Sequence, residues 1–303
     1  MAKNFREKML INVDLKNFCS FKIGGKGRYL IEVESINDII NAISFSNLES
    51  IPFYCIGNGT NILFSSKDIE AIFLVFKNKF SQITNLGEIE ENNIKYNLIK
   101  TQAGTSLGFL CDYNLKKGLS GLEWAIGIPG TVGGAVVMNA GAFQGQMSDS
   151  LQNVTVYSVC EKCVKTLEID KLNFAYRDSI FKAKDFIIIE ATMKFKILTT
   201  NEVKELQEKY MEKRKKTQSI SFPNAGSVFK RSKNIIPAKI IEDLNLKGLR
   251  VGNAEVSKIH SGFIVNLGNA TSSDVEELIE KIRENVWKNC GIMLQLEIIK
   301  IGG

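Results

Sequence analysis

This sequence predicts an α+β fold in more than one domain, and three observations lead to it. Segments with the period-2 alternation of strands and segments with the 3.6-residue spacing of helices both occur along the chain. Two glycine-rich loops, Gly57-Asn58-Gly59-Thr60-Asn61 and the stretch from Gly121 to Ala142, lie among these segments. A charged helical run from Thr200 to Gln218, rich in Lys and Glu, sets off the final third.

In chain order, Ser35 and Asp38 have the spacing of a capping box, and Ile36, Ile39, Ile40 and Ile43 recur at helical spacing behind them. Ile51–Ile56 and Ile62–Phe64 read as strands on either side of the first glycine loop. Ala71–Phe76 is a continuous apolar run, short enough for a buried strand. From Gly87 to Lys100 the pattern is strand and turn, with Asn92-Asn93 as the reversal and Ile94, Tyr96 and Leu98 in alternation. Thr105 is placed to cap a helix running to Lys117, with Gly118 at its C′ position. Val154, Val156 and Ser158 alternate with Thr155, Tyr157 and Val159 in a strand, and a turn at Cys160–Cys163 leads to its partner. Phe186–Ile189 continues into Met193–Ile197 as strand. Pro237 suits the first turn of a helix ending near Leu246-Lys247-Gly248, with Ile240, Ile241 and Leu244 as its buried stripe. Ser273 and Glu276 have capping-box spacing before a helix whose apolar face is Val275, Leu278, Ile279, Ile282 and Val286, with Gly291 at its end. A last strand puts Leu294 and Leu296 on one face and Gln295 and Glu297 on the other.

The 303 residues are 44% hydrophobic and 24% charged, which bounds a globular protein of two or three domains. A formal charge of +6 favours anionic ligands weakly, but the lysines are scattered and no basic block or nucleic-acid motif occurs. The N-terminus lacks the apolar core and cleavage site of a secretory signal, and no apolar run nears the roughly 20 residues that span a membrane. A cytoplasmic protein is expected, with small-molecule partners and with no nucleic-acid, membrane or obligate protein partner. The six cysteines are spread through apolar segments and are expected to be buried small hydrophobes. Cys160-Glu161-Lys162-Cys163 has no second pair to complete a zinc site, and no metal is expected.

The glycine-rich stretch Gly121–Ala142 is open to two readings. Its backbone either takes positive φ and lies against a flat or anionic ligand, or forms a tight turn-and-helix junction within a core. The Gly57–Asn61 loop is likewise either a cradle of backbone amides suited to a pyrophosphate or a plain hairpin turn. Neither is a P-loop, which needs a lysine, nor a dinucleotide G-x-G-x-x-G feeding a helix.

Gly57-Asn58-Gly59-Thr60-Asn61, Gly127-Ile128-Pro129-Gly130-Thr131-Val132-Gly133-Gly134-Ala135 and Asn139-Ala140-Gly141-Ala142 together resemble the flavin signature of the UDP-N-acetylenolpyruvoylglucosamine reductase family. The resemblance runs from about Phe18 to Ile301. It implies a two-lobed FAD-binding domain of the p-cresol methylhydroxylase type, 1–78 and 79–199, and a C-terminal α+β substrate domain, 200–303. It implies FAD contacts from Gly57–Asn61, Ile62, Gly104, Gly127–Thr131, Gly133, Gly134, Ala135, Asn139, Gly141 and Arg214. Tyr176-Arg177-Asp178-Ser179 resembles the motif carrying a catalytic arginine, Arg177. Asn224-Ala225-Gly226-Ser227-Val228-Phe229-Lys230 resembles the motif whose serine, Ser227, is the proton donor, and Glu297 matches a catalytic glutamate. Tyr176, Lys230, Arg231 and His260 fall to the UDP-sugar site. The chain departs from the family pattern at Ser219, where proline is usual, at Arg231-Ser232 for Asn-Pro, and at Lys300 for arginine.

The reaction so implied has two halves: NADPH reduces FAD, and the enolpyruvyl ether is then reduced at C3 and protonated at C2. Without the resemblance each residue has a plainer reading: a surface arginine, an idle loop serine, a structural histidine, a solvent-facing glutamate. An oxidase of the same flavin superfamily and a non-catalytic flavin or UDP-sugar binder are the alternative functions. No tyrosine-bearing insertion follows Arg177, which assigns the shorter family subtype, sometimes termed type II.

Overall fold

Phe186–Ile197 is the longest strand and the axis of a six-stranded antiparallel sheet. Leu151–Ser158 and Ile94–Gln102 flank it, Cys163–Glu168 and Ile83–Glu91 lie outside them, and Leu119–Ser120 pairs with its far end. Its side chains Ile187, Ile188, Ile189, Ala191, Met193 and Phe195 are buried, which is why so long an apolar run is stable as a central strand. The computed structural model describes residues 3–183, 185–218, 221–232 and 234–302. Contacts divide the chain into one unit of Met1–Met9, Ile31–Asn58 and Ile72–Arg214, and a second of Leu10–Leu30, Gly59–Ala71 and Lys215–Gly303. The chain is thus an α+β fold in which the six-stranded sheet belongs wholly to the first unit.

In that unit helix Ile36–Glu49 starts at the Ser35/Asp38 capping box, as the spacing indicates. Ile39 and Ile43 are buried, but Ile36 and Ile40 are about a third exposed, so the buried stripe is narrower than the isoleucine spacing implies. Asn92 and Asn93 form the reversal, both in the left-handed region. The buried face of strand Ile94–Gln102 is Asn97, Ile99 and Thr101; Ile94, Tyr96 and Leu98 lie on the other. Helix Leu107–Lys117 is capped by Ser106 rather than Thr105: the Ser106 hydroxyl accepts the Phe109 N–H, whereas the Thr105 hydroxyl is buried and accepts from Thr101. Gly118 ends the helix in the left-handed conformation. Helix Thr200–Gln218 has the predicted bounds.

The second unit holds a sheet of Asn224–Ser227, Phe263–Asn266, Ala254–Val256 and Arg250–Val251, all antiparallel. Ile62–Phe64 pairs in parallel with Ile299–Ile301. Helix Ser272–Cys290 packs on this sheet through the expected face, Val275, Leu278, Ile279, Ile282 and Val286, all buried. Its cap is Thr271 with Asp274, two residues ahead of the expected pair. Helix Pro237–Asp243 stops before Leu244 and buries Ile241, with Ile240 half-buried. The expected strand through Leu294–Glu297 does not form a ladder: Leu296 makes a single bridge to Phe229, and strand begins only at Ile299. Four cysteines, Cys55, Cys160, Cys163 and Cys290, are exposed, against expectation; Cys19 and Cys111 are buried. The exposed four sit on the open side of a short strand, at a hairpin turn and at a helix end, where the chain is open to solvent. No helix of the described residues is long and apolar enough to cross a membrane. No His, Cys, Asp or Glu group among them could hold a metal ion.

Candidate active site

The glycine-rich stretch in the first unit is built from contacts of the chain with itself. Thr131 caps helix Val132–Val137, its hydroxyl accepting the Gly134 N–H at 3.4 Å. A Cβ on Gly57 would meet that same hydroxyl at 2.2 Å, and one on Gly133 would meet Ala103 Cβ at 2.8 Å. Gly104 is closed in by the carbonyls of Lys77 and Phe80. The amide of Asn58 donates to Pro129 O at 2.7 Å and ties the first glycine loop to the second. Of the sequence's two readings, the packed junction therefore accounts for these glycines, and the ligand reading survives in the amides. Among the described residues the backbone N–H groups of Gly57, Asn58, Gly127, Gly130 and Thr131 donate to no protein acceptor. A set of unspent amides this dense suits a diphosphate, so the residues present fit FAD.

Arg214, at the end of the first unit, braces this stretch from helix Thr200–Gln218. Its Nε donates to Ile126 O at 2.9 Å and its Nη2 to Trp124 O at 3.2 Å. Gly127 has φ +78°, and a Cβ there would meet Arg214 Cδ at 2.9 Å. Burial lowers the pKa of the Arg214 guanidinium from its ordinary value. Gln207, on the same helix, is buried and donates to Cys111 O at 2.9 Å. Burial, with Glu123 beside it, pushes the Cys111 thiol up to about 12, so it stays an inert neutral group.

Tyr176-Arg177 forms a tight turn closed by reciprocal bonds between Ala175 and Asp178. Arg177 is in the left-handed region at φ +53°, its guanidinium donating to Gly141 O at 2.6 Å and Asn139 O at 3.5 Å and lying over the Tyr176 ring. Asn139 is buried, and its amide donates to Ala175 O at 3.1 Å while its carbonyl accepts the Ser148 N–H. Ser179 donates to Val137 O, and Lys182 bonds Arg177 O. The Arg177 turn is thus laced to the end of helix Val132–Val137. The sequence motif includes Ser179 without giving it a role, and the part played by Lys182 was missed in the sequence.

In the second unit the backbone N–H of Ser20 donates to Gly59 O and its hydroxyl to Asn224 O at 2.6 Å. Gly59, at φ +63°, has Phe18 O where a Cβ would be. The N–H groups of Gly59 and Thr60 donate to no acceptor among the described residues, and Asn61 donates to Glu297 O at 3.1 Å. Ile62 opens its strand, buried. Ser227 ends strand Asn224–Ser227 beyond a bulge, opposite Phe263, and follows Gly226 at φ +76°. Glu297 N donates to Val228 O at 2.8 Å, and Lys230 N donates to Gln295 O. Ser227 and Glu297 are therefore brought onto adjoining backbone segments. Arg231 is exposed, and His260 is half-buried against the Phe263 ring. Burial, with Arg231 and Lys247 nearby, lowers the His260 pKa, and its Nδ1 accepts the Gly262 N–H at 3.1 Å. A neutral His260 thus keeps its proton on Nε2. The departure at Ser219 lies outside the described residues.

Residues 218–301 match the family model described as UDP-N-acetylenolpyruvoylglucosamine reductase, C-terminal domain, and residues 28–166 match an FAD binding domain. A UDP-N-acetylenolpyruvoylglucosamine reductase of Pseudothermotoga lettingae is 42% identical over 98% of this chain and 99% of its own length. One from Caldanaerobacter subterraneus subsp. tengcongensis is 38% identical over 97% of this chain and 94% of its own. The crystal structure of the reductase from Thermus caldophilus superposes with a TM-score of 0.79 at 29% identity, covering 96% of this chain and 97% of that one.

Proposed function

The chain belongs to the UDP-N-acetylenolpyruvoylglucosamine reductase family, and from that premise we propose how its residues share the work of reducing UDP-N-acetylenolpyruvoylglucosamine in peptidoglycan synthesis. FAD, when bound, supplies the hydride chemistry between the reductant, NADPH in our reading, and the substrate. The residues that would hold it are Gly57–Ile62, Gly104, Gly127–Thr131, Gly133, Gly134, Ala135, Asn139, Gly141 and Arg214. The unspent amides would hold its diphosphate, and Arg214 would keep the Trp124–Gly127 backbone in place beside them.

The enolpyruvyl carboxylate and the charge that develops next to it need a planar cation and a proton source. Arg177 is suited to the first, because its turn and its bonds to Gly141 and Asn139 fix the plane of the guanidinium before substrate arrives. Ser227 gives its hydroxyl proton to C2. Glu297, with Arg177, orients and stabilises the enolate-like state that forms before that protonation. Tyr176, Lys230, Arg231 and a neutral His260 contact the UDP-sugar, His260 as an Nε2–H donor only. Only a few residues separate the 3-10 turn Ile180–Ala183 from strand Phe186–Ile197, a spacing that supports the shorter subtype without an inserted tyrosine loop. The three segments 1–78, 79–199 and 200–303 remain our division into two flavin lobes and a substrate domain, and the cytoplasm our expected site of action.

One observation supports the assignment of roles: the bond from Glu297 N to Val228 O, which brings the backbone of Glu297 alongside the segment that carries Ser227. An anaerobic titration tests it. NADPH is expected to bleach the bound flavin, and UDP-N-acetylenolpyruvoylglucosamine to restore its colour. Ser227→Ala should keep the flavin and slow the second step by roughly 10²–10⁴-fold. Return of colour in the variant at the parent rate would exclude Ser227 as the donor.

A further inference from the structure

Gly141–Ala142 and Gly145–Gln146 form a small antiparallel ladder in which Ala142 pairs with Gly145 and Gly141 with Gln146. The loop between them is two residues long, Phe143-Gln144, with φ of +51° and +73°. Such a turn is normally made from Asn, Asp and Gly, because other side chains crowd the backbone in the left-handed region. Phe143 and Gln144 are poor choices, and Gln144 is exposed. Strain of this kind persists where the surroundings over-determine it.

What the turn gains is the position of the Phe143 ring. The ring lies 5.2 Å from the guanidinium carbon of Arg214 and is stacked at 5.6 Å on Tyr210, one helical turn before Arg214. Arg214 in turn bonds the carbonyls of Trp124 and Ile126 at the entry to the glycine-rich loop. At the other end of the ladder, Gly141 O receives the Arg177 guanidinium. We propose that Phe143 is a positioning residue, held in a strained turn so that its ring fixes the plane of Arg214 and, through it, the Trp124–Gly127 backbone that receives the flavin. The proposal rests on the reading of that loop as the flavin site. The same ladder ties this brace to Arg177, so the two arginines are set by one hairpin.

The test uses the full-length protein with FAD removed and added back, and reads the FAD dissociation constant, the thermal midpoint of the apoprotein and the rate of flavin reduction by NADPH. Gln144→Gly relieves strain without touching the ring. It should raise the midpoint by about 2–4 °C and leave the dissociation constant unchanged. Phe143→Asn fits the turn but removes the ring, and Phe143→Leu keeps the bulk but not the π face. Each should weaken FAD by about fivefold to tenfold and slow flavin reduction, while the Phe143→Asn midpoint does not fall. Phe143→Tyr should restore binding to about the parent value. Parent-like FAD affinity in both Phe143→Asn and Phe143→Leu would overturn the proposal. So would a midpoint that falls in step with affinity and is not rescued by tyrosine, since the ring would then be mere packing. A parent protein that takes up no FAD at all would instead sink the flavin reading itself, and the proposal with it.

Discussion

The turns at Asn92-Asn93 and at Phe143-Gln144 each join two antiparallel strands by two residues in the left-handed region, with φ of +52° and +60° in the first and +51° and +73° in the second. The first is made from asparagine, the non-glycine residue that tolerates this conformation best. Its strand even places a glycine, Gly87 at φ +106°, at the bulge that needs one. The second uses an aromatic and a long polar residue, at about 1–2 kcal/mol each. Arg177, at φ +53° in the turn laced to the same hairpin, repeats the exception. The difference separates a turn that only has to reverse the chain from turns that have to aim a side chain.

The largest effect expected from this contrast is at Arg177. Replacing it with glycine removes the guanidinium and also the strain, so chemistry and stability should part. Turnover is expected to fall roughly 10²–10³-fold, the scale of losing a preorganised donor at a site of developing charge. The free energy of unfolding should stay within about 1 kcal/mol of the parent, since the lost bonds to Gly141 and Asn139 are offset by relief of the backbone. Steady-state kinetics beside urea unfolding would read both. A glycine variant that keeps turnover within tenfold would remove Arg177 from the site and break the contrast.

The Asn92-Asn93 turn offers the converse experiment. Changing both residues to valine puts β-branched side chains at positive φ and should cost about 2–4 kcal/mol in all. The midpoint of urea unfolding should drop with its slope unchanged. Because the hairpin Ile83–Gln102 carries no residue of the proposed site, turnover per folded molecule should match the parent. Loss of turnover without loss of stability would mean that this turn, too, serves the site.

The same distinction explains how far the sequence could be read. The Ser35 cap, the bounds of helix Thr200–Gln218, the buried stripe of helix Ser272–Cys290 and the Asn92-Asn93 reversal were legible, because each is a local pattern with one physical solution. The caps at Ser106 and Thr271 were misplaced because neighbouring residues offer the same chemistry: Thr271 with Asp274 and Ser273 with Glu276 are both capping boxes on paper. Backbone orphan N–H groups decide between them, and those depend on where the preceding loop delivers the chain. Leu294–Glu297 alternates like a strand, but alternation cannot say whether a partner edge is available, and here only Leu296 finds one. At the site, the glycine motifs were visible as motifs, while their contacts with Thr131, Ala103 and Arg214 join residues far apart in sequence. Phe143 left no signal, since nothing local distinguishes a phenylalanine in a left-handed turn from one in a strand.

The smallest expected effect is also the sharpest check on the strain itself. Asn93→Gly makes the same kind of change as Gln144→Gly, an exposed turn residue at positive φ losing its side chain. Two terms compete in both. Glycine removes the clash of Cβ with the backbone, which stabilises the fold, and it also enlarges the conformational freedom of the unfolded chain, which destabilises it by about 0.5–1 kcal/mol. For asparagine the first term is already small, so the sum should lie within about 0.5 kcal/mol of zero. For glutamine the first term should win. The gap between the two variants, measured in the same urea series, cancels the entropy of glycine and leaves the strain that the Phe143-Gln144 turn carries and the Asn92-Asn93 turn avoids. Equal responses, both near zero, would show that Gln144 costs the protein no more in its turn than Asn93 does in the other.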